Sequence, residues 1–534
     1  MFCPISETGV FVDKLKSILA TPRAKEQLYN LALLLIVTVG VYLRFYNIAV
    51  LDLWFDEAWR ACVVSASDWF GAMLSNLYAP LPLMFVFLSN FMVKIFGNTE
   101  ISLRFLGAFF GCLSLGLIYR LTNQLFGKFP ALISTFMLAL HPKFIYFSRE
   151  FKQYSMDIFV TLLALNITEK LFRERNLINY SVFAFFVLFS MFFSFAAVLI
   201  FPAIFLVLFI QDISRSDKLA ITLNAVVASI SFACFLWYYR TMLNPQIAQK
   251  LLTFWHERYF SLSSSVWDSV VWFLSRSYEP FRFYVYHVFN PVGGLILDTL
   301  VPFLLFLFAL GCYLACKKGL HRIIIYCFTP MLVTLFLSML GRWPYGGERV
   351  NAFYFPVLFV PLSAGAAHFF FESRWSKNKK VLAASLFLLL AVAFLPLARL
   401  EDFMLTEFSH EIKPGLNAMF RHAKQGDSVY AYLGVAPVFK YYYYYYTPFQ
   451  NERRVIRDED VFYGSVMEDK KKIYAEMMEV FKKKKRVWIS LPLAIEKDVY
   501  AIDQALSKIG KRLLLVSSFH MRTYLFESEI YKGK

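Results

Sequence analysis

Apolar positions run almost unbroken for about twenty residues at a time along most of the chain, the length a helix needs to cross the hydrocarbon core of a bilayer. They predict transmembrane helices near 29–47, 101–121, 129–147, 154–171, 179–193, 195–210, 219–238, 295–315, 322–341, 353–371 and 380–398, which makes eleven. Residues 80–96 are also strongly apolar. A crossing there would reverse every later loop and place Arg120, Lys128, Arg173 and Arg175 outside, so this stretch reads as a helix at or dipping into the outer interface. Residues 180–210 exceed one passage and read as two short helices meeting near Ser190 to Ser194.

Charge sets the orientation. Loops 120–128, 170–179, 211–218, 316–322 and 372–380 hold 14 Lys or Arg in 43 residues, whereas loops 48–100, 148–153, 239–294 and 342–352 hold 11 in 126. Basic residues gather on the cytoplasmic side, so the first set faces inward. Residues 1–28 then form a cytoplasmic segment, 29–398 a membrane domain with a first outer loop at 48–100, and 399–534 an extracytoplasmic domain.

Beyond residue 400 the apolar runs shorten and helical and strand periods alternate, as in a small soluble α/β domain. Val429–Leu433, Val487–Leu491, Leu513–Ser517 and Thr523–Phe526 are the strand candidates, and Val499, Ile502, Leu506 and Ile509 mark a helix face. Gly426 and Asp427 read as a helix stop and strand start. The run Tyr441–Tyr446 reads as an aromatic strand, an interfacial belt or a sugar-stacking shelf.

Composition agrees with this class: 58% of the chain is hydrophobic and only 17% charged, with mean hydropathy +0.51, which excludes an ordinary soluble enzyme. The formal charge of +17 does not indicate nucleic acid, because the basic residues are spread between apolar spans. Seven scattered cysteines encode neither a disulfide framework nor a zinc cluster. The chain has no phosphate-binding GxxxxGK[ST] loop, no GxSxG and no HExxH.

Three outer segments carry candidate chemistry. LDLWFDEAW sets Asp56 beside Glu57 in an aromatic frame. A carboxylate so placed loses hydration and gains basicity, which suits it to accept a hydroxyl proton or hold a cation; alternatively the pair caps an interfacial helix at 56–66. In FSREFKQYSMD, Glu150, Tyr154 and Asp157 fall on one helical face and are functional candidates; alternatively Arg149, Glu150 and Lys152 form an ion-pair cluster anchoring a helix end. GRWPYGGERVNAFYFP brings Arg342 and Arg349 to a glycine-rich turn beside Tyr345, which reads as a phosphate site or a basic interface anchor.

The ordered set FDEAW at 55–59, APLPL at 79–83, ISLRFLGAFFG at 101–111, HPKFIYFSREFKQYSMD at 141–157 and PYGGERVNAFYFPVLFVP at 344–361 resembles the bacterial C-type glycosyltransferases related to protein O-mannosyltransferases and aminoarabinose transferases. The resemblance implies sugar transfer from a polyprenyl-phosphate donor to a glycan, lipid or protein acceptor at the outer face of the plasma (inner) membrane. It implies Asp56, Glu57 and Glu150 as catalytic acids, Lys152 and Arg349 on the donor phosphate, and Tyr154 and Tyr345 on the substrate. A divalent cation (Mg, Mn or Ca) held by Asp56 and Glu150 is an open option. Phe151 and Lys152 depart from the usual Ala and Arg, so charge is kept while a bidentate fork is lost. The rival from another class is a transporter or a flippase of lipid-linked glycans, in which Asp157 would line a path.

Overall fold

The computed structural model describes residues 21–75, 80–242, 245–260, 265–289, 294–372, 411–452, 454–465, 470–492, 504–519 and 521–532. The chain packs as two compact units. One is built from Met1–Tyr46, Gly107–Ser148 and Gln153–Arg399, the other from Asn47–Leu106, Arg149–Lys152 and Leu400–Lys534.

The first unit is helical. Among the described residues, Pro22–Phe45, Glu100–Phe126, Ala197–Ser214, Lys218–Met242 and His321–Met339 are long and apolar enough to cross a membrane. The expected span 129–147 is instead two helices, Lys128–Leu140 and Pro142–Arg149, bent by 57°. Pro142 is the cause: it lacks a backbone N–H and pushes His141 into extended backbone. Helices also stand at the other expected spans, several shorter than a full crossing, except that 380–398 lies outside the described residues. The stretch 180–210 divides as expected. Leu177–Phe193 stops at Ser194, whose hydroxyl bonds the Asp157 carboxylate and accepts the Ala197 N–H, starting a new turn.

Gly294–Lys317 and Phe355–Ala367 pack almost backbone to backbone. A Cβ on Gly311 would lie 1.7 Å from the Pro361 carbonyl oxygen, and one on Gly365 would lie 1.9 Å from that of Leu307, so only glycine permits this approach.

The second unit contains a five-stranded sheet: β1 Ser428–Ala431, β2 Val461–Tyr463, β3 Arg486–Pro492, β4 Gly510–Ser518 and β5 Met521–Ser528, in the order β2-β1-β3-β5-β4. β1 is parallel to β2 and β3, while β5 is antiparallel to β3 and β4. All four predicted strands are present; β2, three residues long, carries too little pattern to be read. Gly426 has φ +90°, and the strand starts at Ser428 after the helix Lys413–His422. Most of the predicted helix face at 499–509 lies outside the described residues.

The tyrosine run corrects its reading as an aromatic strand or interfacial belt. Tyr441–Tyr445 forms a π-helical turn after the helix Ala436–Lys440, with Tyr441, Tyr442 and Tyr443 fully buried. Burial of the rings drives the turn inward, and the Tyr442 and Tyr443 hydroxyls find hydrogen-bond partners there.

Candidate active site

The helix Phe55–Ser65 begins after Trp54, whose extended backbone leaves the first turn in need of a cap. Glu57 supplies it by accepting the Trp54 N–H at 3.3 Å. The same buried carboxylate accepts Arg104 Nε at 2.8 Å and Nη2 at 2.7 Å, together with the Phe151 N–H at 2.6 Å. The other Arg104 donors reach the carbonyls of Ile48, Leu51 and Asp52 at 2.9, 2.8 and 3.3 Å. One guanidinium therefore ties the loop entering the helix to the helix's own first turn.

Asp56, one residue away, has a different environment. Lys152 Nζ lies 2.6 Å from Asp56 Oδ2 and 3.2 Å from Glu150 Oε1, and sits 4.3 Å above the Trp54 ring. The Trp54 indole N–H donates to Glu150 Oε1 at 3.1 Å. The Lys152 side chain is 0% exposed and that of Glu150 2%, whereas that of Asp56 is 22% exposed. Asp56 is thus the carboxylate of this group that solvent or a substrate reaches. Glu150 Oε2 is buried and has no hydrogen-bond partner among the described residues.

The expected helical face of Glu150, Tyr154 and Asp157 does not form. Pro142–Arg149 ends before Glu150 and the next helix starts at Tyr154. Between them the Phe151 N–H is taken by the Glu57 carboxylate instead of a helical carbonyl, and the Lys152 N–H turns back to the Glu150 carbonyl at 2.7 Å. This break turns Glu150 and Lys152 toward Asp56.

Asp56 and Glu150 do not fit a divalent ion as arranged. An ammonium already bridges them, and among the described residues no group of three or more His, Cys, Asp or Glu side chains is placed to hold a metal.

The remaining predicted residues belong to the helical unit. Tyr154 packs its ring on Phe147 at 5.0 Å. Tyr345 is buried against Trp272 and Phe273, its hydroxyl 2.7 Å from Ser277 Oγ. Arg349 opens the short turn Arg349–Asn351. In the glycine-rich turn the Gly347 amide donates to Glu279 Oε2 at 2.8 Å, a carboxylate also paired with Arg258 and Arg276.

Sequence reasoning quoted Arg104 within a motif but gave it no role. A lone cation near the start of an apolar helix was the available signal. Trp54 offered no signal beyond its aromatic neighbours.

Residues 81–239 match the family model described as dolichyl-phosphate-mannose-protein mannosyltransferase. The solved structure of ArnT from Cupriavidus metallidurans bound to undecaprenyl phosphate is similar with TM-score 0.53 at 13% identity, over 94% of this chain and 99% of that one. The archaeal oligosaccharyltransferase AglB from Archaeoglobus fulgidus, in complex with an inhibitory peptide and a dolichol-phosphate, gives 0.51 at 14% identity, over 94% and 74%. The fold is that of the C-type glycosyltransferases. No curated protein sequence matches the chain. Within this C-type fold, the family match takes in Arg104, Glu150 and Lys152, whereas Asp56, Glu57 and Arg349 lie outside the matched stretch.

Proposed function

We propose that the protein is an integral-membrane glycosyltransferase that moves a sugar from a polyprenyl-phosphate donor to an acceptor hydroxyl at the extracytoplasmic face. The observation that carries this reading is the pairing of a partly exposed Asp56 with a fully buried Lys152. The buried ammonium orients the carboxylate and balances its charge, and the partly exposed Asp56 is the group within reach of an acceptor hydroxyl proton.

In the reaction, the acceptor oxygen forms a bond to the anomeric carbon as the bond from that carbon to the carrier phosphate oxygen breaks. The electron pair leaves with the polyprenyl phosphate, and the hydroxyl proton passes to Asp56. One displacement inverts the anomeric centre. Glu57, engaged by Arg104 and two backbone amides, positions Asp56 and does not react. Glu150, held by Lys152 and the Trp54 indole, fixes the ammonium beside Asp56. Arg349 is assigned to the departing phosphate, a task for which a guanidinium fork is suited.

The solved relatives carry dolichol-phosphate and undecaprenyl phosphate, which supports the same donor class here. The test is mass spectrometry of products from purified protein given a panel of polyprenyl-phosphate sugars and hydroxyl acceptors. Sugar-modified acceptor with inverted configuration is expected. Solute or lipid movement across liposomes without any sugar transfer would replace this reading with transport.

A further inference from the structure

The tail that follows the helical spans is built into the turn that presents Asp56. Asp52 Oδ2 accepts the N–H groups of Ile412 and Lys413 at 2.9 and 3.2 Å, so a residue 360 positions away caps the helix Lys413–His422. The Lys413 ammonium folds back onto Asp52 Oδ1 at 2.8 Å and Glu100 Oε1 at 2.5 Å. Tyr442 closes the ring: its hydroxyl accepts the Leu53 N–H at 2.7 Å and donates to Glu100 Oε1 at 2.8 Å. Asp52 and Glu100 are both buried, so neither carboxylate has water to replace these partners.

A second joint lies nearby. The Asn98 N–H donates to Thr447 Oγ1 at 2.7 Å while the Thr447 N–H donates to the Asn98 carbonyl at 3.0 Å. Leu53 stands three residues before Asp56, and Arg104, one helical turn beyond Glu100, grips the Asp52 carbonyl and Glu57 together. The path from the tail to the reacting carboxylate is therefore Lys413 and Tyr442, then Asp52 and Leu53, then the first turn of Phe55–Ser65.

We propose that Lys413 and Tyr442 are positioning residues for Asp56, and that the C-terminal α/β segment completes the catalytic turn. This rests on the transferase reading, in which Asp56 is the base. An alternative, that the tail is a separate acceptor-binding module, would leave the 48–57 loop indifferent to these two side chains.

The experiment uses the full-length protein in nanodiscs. Hydrogen exchange of peptides covering residues 48–57 is followed in wild type, Lys413→Met, Lys413→Arg, Tyr442→Phe and the surface control Lys482→Met, alongside transfer kinetics. Faster exchange at Leu53 is expected in Lys413→Met and Tyr442→Phe, and in neither Lys413→Arg nor the control. A fall in kcat on the order of 10- to 100-fold, the cost of misplacing a reacting group by about an ångström, is expected in the same two variants. Donor KM should not change, and Lys413→Arg should recover most of the rate. Unchanged exchange in Tyr442→Phe, or faster exchange with unaltered kcat, overturns the proposal. A wild-type protein that transfers no sugar while exchange still responds overturns the transferase reading and leaves the hold of Lys413 and Tyr442 on the 48–57 loop standing.

Discussion

Lys152 Nζ sits 2.6 Å from Asp56 Oδ2 although 96 residues separate them in the chain, and the lysine side chain has no exposed surface while the aspartate keeps an open edge. That asymmetry, buried cation against accessible carboxylate, underlies the proposed proton-accepting role of Asp56 and gives the first prediction. Asp56→Asn keeps the shape and removes the base. Sugar transfer should fall by about 10²–10⁴-fold, the usual contribution of a general base. Donor KM and thermal stability should stay near wild type. Normal transfer by this variant ends the assignment.

Lys152→Met leaves Asp56 and Glu150 facing each other without the ammonium between them. Removing one partner from a buried ion pair costs about 3–5 kcal/mol. A clear drop in unfolding temperature in detergent is expected along with lost activity, and a variant as stable as wild type would show that the lysine is not the bridge described.

Arg104 holds Glu57 with two donors and three carbonyls with the rest. Lysine in its place keeps one charge but cannot reproduce the fork. Arg104→Lys should therefore lower kcat with little change in donor KM, because it loosens the Asp56 turn without touching the donor. A KM effect alone would point instead to a donor contact.

The Lys413 ammonium gives a pH dependence of defined sign. Burial pulls it down, but the Asp52 and Glu100 carboxylates outweigh burial and hold it above the usual lysine range. A basic group raised on folding contributes stability that is fully present below its unfolded value, about 10.4, and is lost as pH rises through the higher folded value. Exchange protection of residues 48–57 should accordingly be complete up to pH about 10.4 in wild type and fall as pH climbs toward the higher folded value. Lys413→Met should lack that alkaline step, and an identical step in both proteins would assign it to another group.

Orientation has its own check. Gln425 is exposed in the turn before β1, so a cysteine placed there should react with an impermeant thiol reagent added from outside sealed spheroplasts. Labelling only after the membrane is opened would put the tail, and the site built with it, on the cytoplasmic side.

The sequence by itself determined the class of molecule. Runs of apolar residues long enough for lipid cannot be hidden in a water-soluble core of this size, and the four longer strands of the tail each carried their own pattern of apolar positions. It also singled out Asp56, Glu57, Glu150 and Lys152, since ionisable groups beside apolar spans are costly and draw notice.

Tertiary structure alone decided how they divide the work. Asp56 and Glu57 look equivalent as neighbours in the chain, yet successive residues of a helix point in different directions. One meets Lys152 and the other Arg104. Helical periodicity placed Glu150 with Tyr154 and Asp157, but the Glu57 carboxylate takes the Phe151 N–H that a continuous helix would need. The tyrosine run and Lys413 were illegible for the same reason: their partners, Leu53, Asp52 and Glu100, lie more than three hundred residues away. A pattern confined to neighbouring residues holds no information about contacts that only chain folding creates.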